Sequence, residues 1–139
     1  MEAVVVMQQH QLSPEMCESV IEKGHKKARE LGIAFSFSLV DNGGHPFVFK
    51  RIRRAVNASI DLSIQRARTA ALFCIGTDIL GQLSKNTGPL YGVNQTIGGL
   101  VTYPGGIAIR NEQDELIGAI VVSGGTVDQD FGVSKAALM

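Results

Sequence analysis

The chain has 139 residues, 13 Lys plus Arg against 13 Asp plus Glu, two cysteines and 45% hydrophobic residues. That length makes one ordinary domain whose core needs no disulfide or metal staple. Balanced charge without a dominant basic block removes the electrostatic case for nucleic acid or an anionic membrane surface as a partner, and no segment approaches the roughly 18 unbroken apolar residues of a membrane helix.

Residues 1–11, MEAVVVMQQHQ, read as a short strand or loose arm ahead of a single domain over 12–139. Their apolar patch is too short for a signal h-region and follows Glu2 rather than basic residues, which predicts a cytoplasmic location. Ser13 followed by Pro14 is a helix start, and Gly32 a helix end. Between them Cys17, Val20, Ile21, Gly24, Ala28 and Leu31 recur at three- and four-residue steps, which puts them on one buried face.

Strand period then takes over: Ile33, Phe35, Phe37 and Leu39 alternate with Ala34, Ser36, Ser38 and Val40, one face greasy and the other small. Asp41-Asn42-Gly43-Gly44 is a turn signal, and His45–Ile52 completes an antiparallel hairpin. Asn57 or Ser59 caps a second helix with Ile60, Ile64, Ala67, Ala71 and Leu72 on one face and Gly76 at its end. Thr77–Leu83 is a short helical turn, and residues 84–99 form a Gly- and Asn-rich connector of the length that is often functional. Three strands follow, GLVTY, IAIR and LIGAIVVS, with a break at Pro104-Gly105-Gly106. A last helix begins at Thr126, where Thr126 and Gln129 have capping-box spacing. The order predicts an α+β domain with a mainly antiparallel sheet of about five strands flanked by helices.

The chemistry on offer is sparse. His10, His25 and His45 lack zinc or metalloprotease spacing, and Cys17 and Cys74 lack a C-x-x-C partner, so no structural metal and no disulfide are expected. His25, a lone imidazole on the first helix, is the candidate axial ligand for a haem iron. There is no nucleophile elbow, and Asp41, Asp61 and Asp130 are the carboxylates available as a general acid or base. Each sits where capping or turn formation accounts for an Asp equally well. The basic run Lys50, Arg51, Arg53 and Arg54 reads as a solvated strand end. The richest corner is Leu116–Asp130, where Gly124 and Gly125 open onto the Thr126 helix start, whose N–H groups favour an anion. A cleft forms if the connector with Tyr91 and Asn94, the Gly105-Gly106 break and Gly124-Gly125-Thr126 converge.

Several segments together resemble the GlcG/HbpS-like family, which includes the C-terminal domain of PduO-type proteins. They are Val40-Asp41-Asn42-Gly43-Gly44, Ala58-Ser59-Ile60-Asp61, Ala67–Ala71, Gly88-Pro89-Leu90-Tyr91-Gly92, Gly105-Gly106, Ile117-Gly118-Ala119, Val122–Thr126 and Gln129-Asp130. The resemblance runs from about Leu12 to Leu138. It implies a profilin-like fold with a five-stranded antiparallel sheet, assembled as dimers and often octamers. Some relatives bind haem, one of them as an extracellular partner of a redox-sensing system, and others accompany glycolate or corrinoid-dependent diol metabolism. The adenosyltransferase domain of PduO-type proteins has no counterpart in this sequence, so no adenosylation activity is carried over. The leading expectation is a non-catalytic, homo-oligomeric small-ligand-binding protein with haem or another tetrapyrrole as ligand. The alternatives are an accessory protein or small enzyme of those pathways, and an assembly protein whose glycine-rich edge is a subunit interface.

Overall fold

The computed structural model describes residues 11–139. The expected N-terminal arm, and His10 with it, therefore lies outside the described residues except for Gln11. The elements are α1 (Pro14–Leu31), β1 (Ser36–Asp41), β2 (Pro46–Arg51), α2 (Ala58–Phe73), α3 (Thr77–Leu83), a 3-10 turn (Val93–Gln95), β3 (Ile107–Arg110), β4 (Leu116–Ser123) and α4 (Val127–Ala137). The strands form one antiparallel sheet in the order β2-β1-β4-β3.

α1 starts and stops for local reasons. The Ser13 hydroxyl accepts from the Met16 N–H at 3.2 Å, and Gly32 adopts φ 68° while the Ile33 N–H closes back on the Ala28 carbonyl at 3.2 Å. Its buried face carries Cys17, Val20, Ile21, Gly24 and Ala28, as the spacing predicts, together with Met16, although Leu31 at the last turn is exposed. This face and Val133 and Ala137 of α4 pack on the greasy side of the sheet, which presents Phe35, Phe37, Leu39, Ile107, Ile109, Ile120 and Val122. Full burial of such a side chain is worth roughly 1.5–3 kcal/mol, so most of the drive to fold comes from this side.

The other side of the sheet is small: Val40, Ala119 and Val121 meet Ala67, Ala70 and Ala71 of α2, beside the buried Ser36 and Ser38. A helix fits closely there only through its own small residues. Of the expected face, α2 buries Ala67 and Ala71, but Ser59, Ser63, Arg66 and Ala70 are buried in place of Ile60, Ile64 and Leu72, and Leu72 is exposed. Asn57 stands at the cap position without a capping bond, its Oδ1 accepting instead from Arg51 Nη2 at 2.8 Å. α2 ends at Phe73 with Cys74 in the left-handed region (φ 57°), and Gly76 opens α3 rather than ending α2.

Among the described residues the sheet has four strands, not five, because GLVTY is not a strand. Its backbone donors are spent elsewhere: the Leu100 N–H goes to the Asn94 carbonyl at 2.9 Å and the Val101 N–H to Thr69 Oγ1 at 3.1 Å. The segment is thereby tied to the connector and to α2 instead of to β3.

Cys17 is buried in α1 and burial pushes its thiol up to about 11, whereas Cys74 is exposed. A disulfide reagent at mildly alkaline pH is expected to titrate one thiol in the native protein and both after denaturation. Fast reaction of both native thiols would contradict this packing of α1.

Candidate functional site

An ion pair inside the protein organises the end of the sheet where β4 finishes. Arg66 of α2 is fully buried; its Nη2 donates to Asp130 Oδ2 at 2.9 Å and its Nη1 to the Pro104 carbonyl at 2.8 Å. The guanidinium lies over the Tyr103 ring, 4.7 Å from its centre, and Nε has no partner. Asp130 Oδ1 accepts from the N–H groups of Gly124 (3.1 Å) and Gly125 (2.8 Å). One pair thus joins α2, the Pro104 break and the β4–α4 turn. Burial pushes the Asp130 carboxyl above its usual range, opposed by the Arg66 and glycine hydrogen bonds.

The capping box at the start of α4 forms as its spacing predicts. The Thr126 N–H donates to Gln129 Oε1 at 2.9 Å and the Gln129 N–H to Thr126 Oγ1 at 3.2 Å. The anion held by Gly124 and Gly125 is therefore the protein's own Asp130 carboxylate. In front of it lies a cleft of about 280 Å³. Val56, Leu62, Tyr103 and Val127 supply its apolar walls, and Ser59, Ser123 and Asp130 its polar ones.

A second hollow, about 470 Å³ and open, lies beside α1. His25 lines it with Ala28, Arg29, Ile33 and Ile52. The imidazole sits edge-on to Phe37, 6.3 Å between ring centres. Its pKa is lowered first by burial and then by the Arg29 and Lys50 cations, with Glu22 opposing. Both hollows flank the chain at Ala34–Phe35, since the α1 hollow includes Ala34 and Gly124 is packed against the Ala34 carbonyl.

The other candidates are dispersed. Gly105 and Gly106 are buried behind Arg66 and α3, where the Gly106 N–H donates to Thr77 Oγ1 at 2.9 Å. The connector does not reach either hollow: Tyr91 is exposed, and Asn94 is exposed with its carbonyl taken by Leu100. Asp41 sits at the far end of β1, paired with Gly118, and accepts from the Gly43 and His45 N–H groups at 2.9 Å each. Asp61 is exposed on α2, so the three carboxylates occupy separate places. The basic run lies exposed around the end of β2, with Arg51 bonded to the Ala55 carbonyl and to Asn57. Among the described residues no three His, Cys, Asp or Glu side chains gather as a metal site, and no helix is long and apolar enough to cross a membrane.

The sequence does not single out Arg66, Tyr103, Ser59 or Ser123 as site residues. Arg66 had a signal: it shares its helix face with Ser59, Ser63, Ala67 and Ala70, a stripe of small residues that faces the core.

Residues 12–139 match the family described as haem degrading protein HbpS-like. An uncharacterized 15.0 kDa protein from the dhaT-dhaS intergenic region of Citrobacter freundii is 34% identical over 113 residues, spanning 81% of this chain and 79% of that protein. The corrinoid adenosyltransferase PduO of Citrobacter freundii is 32% identical over 113 residues, which are 81% of this chain but 33% of PduO. The crystal structure of the PduOC:heme complex superposes with a TM-score of 0.87 at 29% identity, covering 92% of this chain and 93% of that one.

Proposed function

The chain belongs to the HbpS-like family, and on that premise we propose that it is a non-catalytic, homo-oligomeric haem-binding protein, dimer or octamer, in which His25 would hold the iron. The observation that carries this reading is the half-buried His25 imidazole on the wall of an open hollow, in a fold shared with a haem complex. The residues present fit the group. Ile33, Ile52 and Ala28 offer apolar surface to a macrocycle, and Arg29 offers a cation to a propionate. Bound haem supplies an iron centre that accepts an imidazole nitrogen. Gly124, Gly125 and Thr126 lie outside this hollow and their N–H groups are already used, so they hold no propionate.

The lowered pKa makes a specific prediction. Ligation needs the neutral imidazole, and burial together with Arg29 and Lys50 keeps His25 neutral to below its ordinary value of 6.5. Hemin titrated across a pH series should give a Soret band at one equivalent per chain and a constant affinity from about pH 8 to below 6.5. Below the depressed His25 pKa the affinity should fall by about tenfold per pH unit, one proton competing with one iron bond. No spectral change at stoichiometric hemin overturns the proposal.

A second reading, an accessory protein of corrinoid-dependent diol metabolism, is favoured by the identity to PduO. The absorption spectrum of the purified protein separates the two, with a Soret band for haem and corrin bands for a cobalamin.

A further inference from the structure

The cleft in front of Asp130 is built for something other than a tetrapyrrole. Ser123 ends β4 on the side facing α2; the residue is 2% exposed and lines the cleft, yet its hydroxyl has no hydrogen-bond partner among the described residues. Its neighbours in the cleft are committed. Ser59 Oγ donates to the Val56 carbonyl at 2.6 Å and lies 2.8 Å from Ser36 Oγ, and Asp130 already receives three donors. The Ser123 hydroxyl is open to the cleft and uncommitted, so a molecule seated there can bond to it.

The surroundings define what that molecule is. No cationic side chain lines the cleft, because the Arg66 guanidinium lies behind Asp130 and is paired with it, so an anionic head group meets the Asp130 carboxylate without a cation to offset it. Asp130 has lone-pair capacity beyond its three donors and favours a donor. The remaining walls, Val56, Leu62, Tyr103 and Val127, are apolar, and about 280 Å³ suits a small body. We propose that this cleft is a second binding site, separate from the His25 hollow, for a small uncharged molecule carrying a hydroxyl group on an apolar body. The ligand hydroxyl bonds to Ser123 Oγ and Asp130, and the apolar body packs under Tyr103 and Val56.

Two probes with one body test this: cyclohexylmethanol and cyclohexanecarboxylate, followed by amide chemical shifts in the full chain. The alcohol is expected to give saturable shifts at Ser123, Gly124 and Gly125, and the carboxylate none. Ser123→Ala is expected to weaken the alcohol about tenfold, the value of one buried hydrogen bond. Val56→Trp obstructs the cleft at an exposed rim position, where the fold is unaffected, and is expected to abolish the shifts while leaving hemin uptake intact. The proposal is overturned by the absence of saturable shifts with the alcohol, by equal affinity for the carboxylate, or by shifts that survive both substitutions.

Discussion

Replacing Asp130 with alanine is expected to lower the free energy of unfolding by about 3–5 kcal/mol, the cost of leaving a buried charge without its partner. Arg66 is fully buried and its Nε already lacks a partner, so the guanidinium cannot recover solvation by a side-chain movement. The same substitution also strips the acceptor from the Gly124 and Gly125 N–H groups, so the β4–α4 turn loosens together with the Pro104 break. Since a domain of this size is typically stable by about 5–15 kcal/mol, a loss of this order is visible as a large drop in the urea midpoint. Arg66→Ala should fall in the same range, and the double variant should cost less than the sum of the two singles, because the two groups act as one unit. A loss under about 1 kcal/mol for Asp130→Ala would show that the pair does not organise the turn.

The next largest effect is expected at Gly124. Its φ of 151° is a conformation that side chains rarely adopt, and an added Cβ would stand 2.5 Å from the Ala34 carbonyl oxygen, which belongs to backbone and cannot swing aside. Gly124→Ala should therefore destabilise by about 3 kcal/mol, the upper end of the range for a strained backbone residue. Gly125 is the control. A Cβ there meets the Gln129 side-chain oxygen at 2.7 Å, which can swing aside at the loss of its capping bond, so Gly125→Ala should cost about 1 kcal/mol, the order of a lost helix cap. Paired urea unfolding curves check the ordering, and equal costs at the two positions would contradict the distinction between them.

How far the fold is legible in the residues depends on whether the signal is local. Ser13, Pro14 and Gly32 delimit α1 by hydrogen bonds within a few residues, and the alternation of Phe35, Phe37 and Leu39 with Ser36 and Ser38 anticipates a greasy face and a small one. The capping box at Thr126 is equally local. What escaped depends on contacts distant in sequence. The α2 face is chosen by Val40, Ala119 and Val121 across the sheet, which admit Ser59, Ser63 and Ala70 beside the expected Ala67 and Ala71 and turn Leu72 outward. GLVTY carries strand-forming residues, yet Thr69, 32 positions earlier, takes the Val101 N–H. The Gly124-Gly125 corner favours an external anion on its local pattern, whereas its N–H groups are taken by the Asp130 carboxylate of the same segment. Nothing near Arg66 in sequence announces that its partner lies 64 residues away.

The reading of this member of the HbpS-like family rests on His25 as the residue that meets the iron. Hemin titrated into the wild-type protein and the His25→Ala variant in parallel measures that directly. The wild-type protein is expected to develop a saturable Soret band at one equivalent, and the variant to bind at least about tenfold more weakly, with free imidazole restoring the wild-type spectrum. Identical titrations and spectra for the two proteins, or no Soret change in either, would contradict the account.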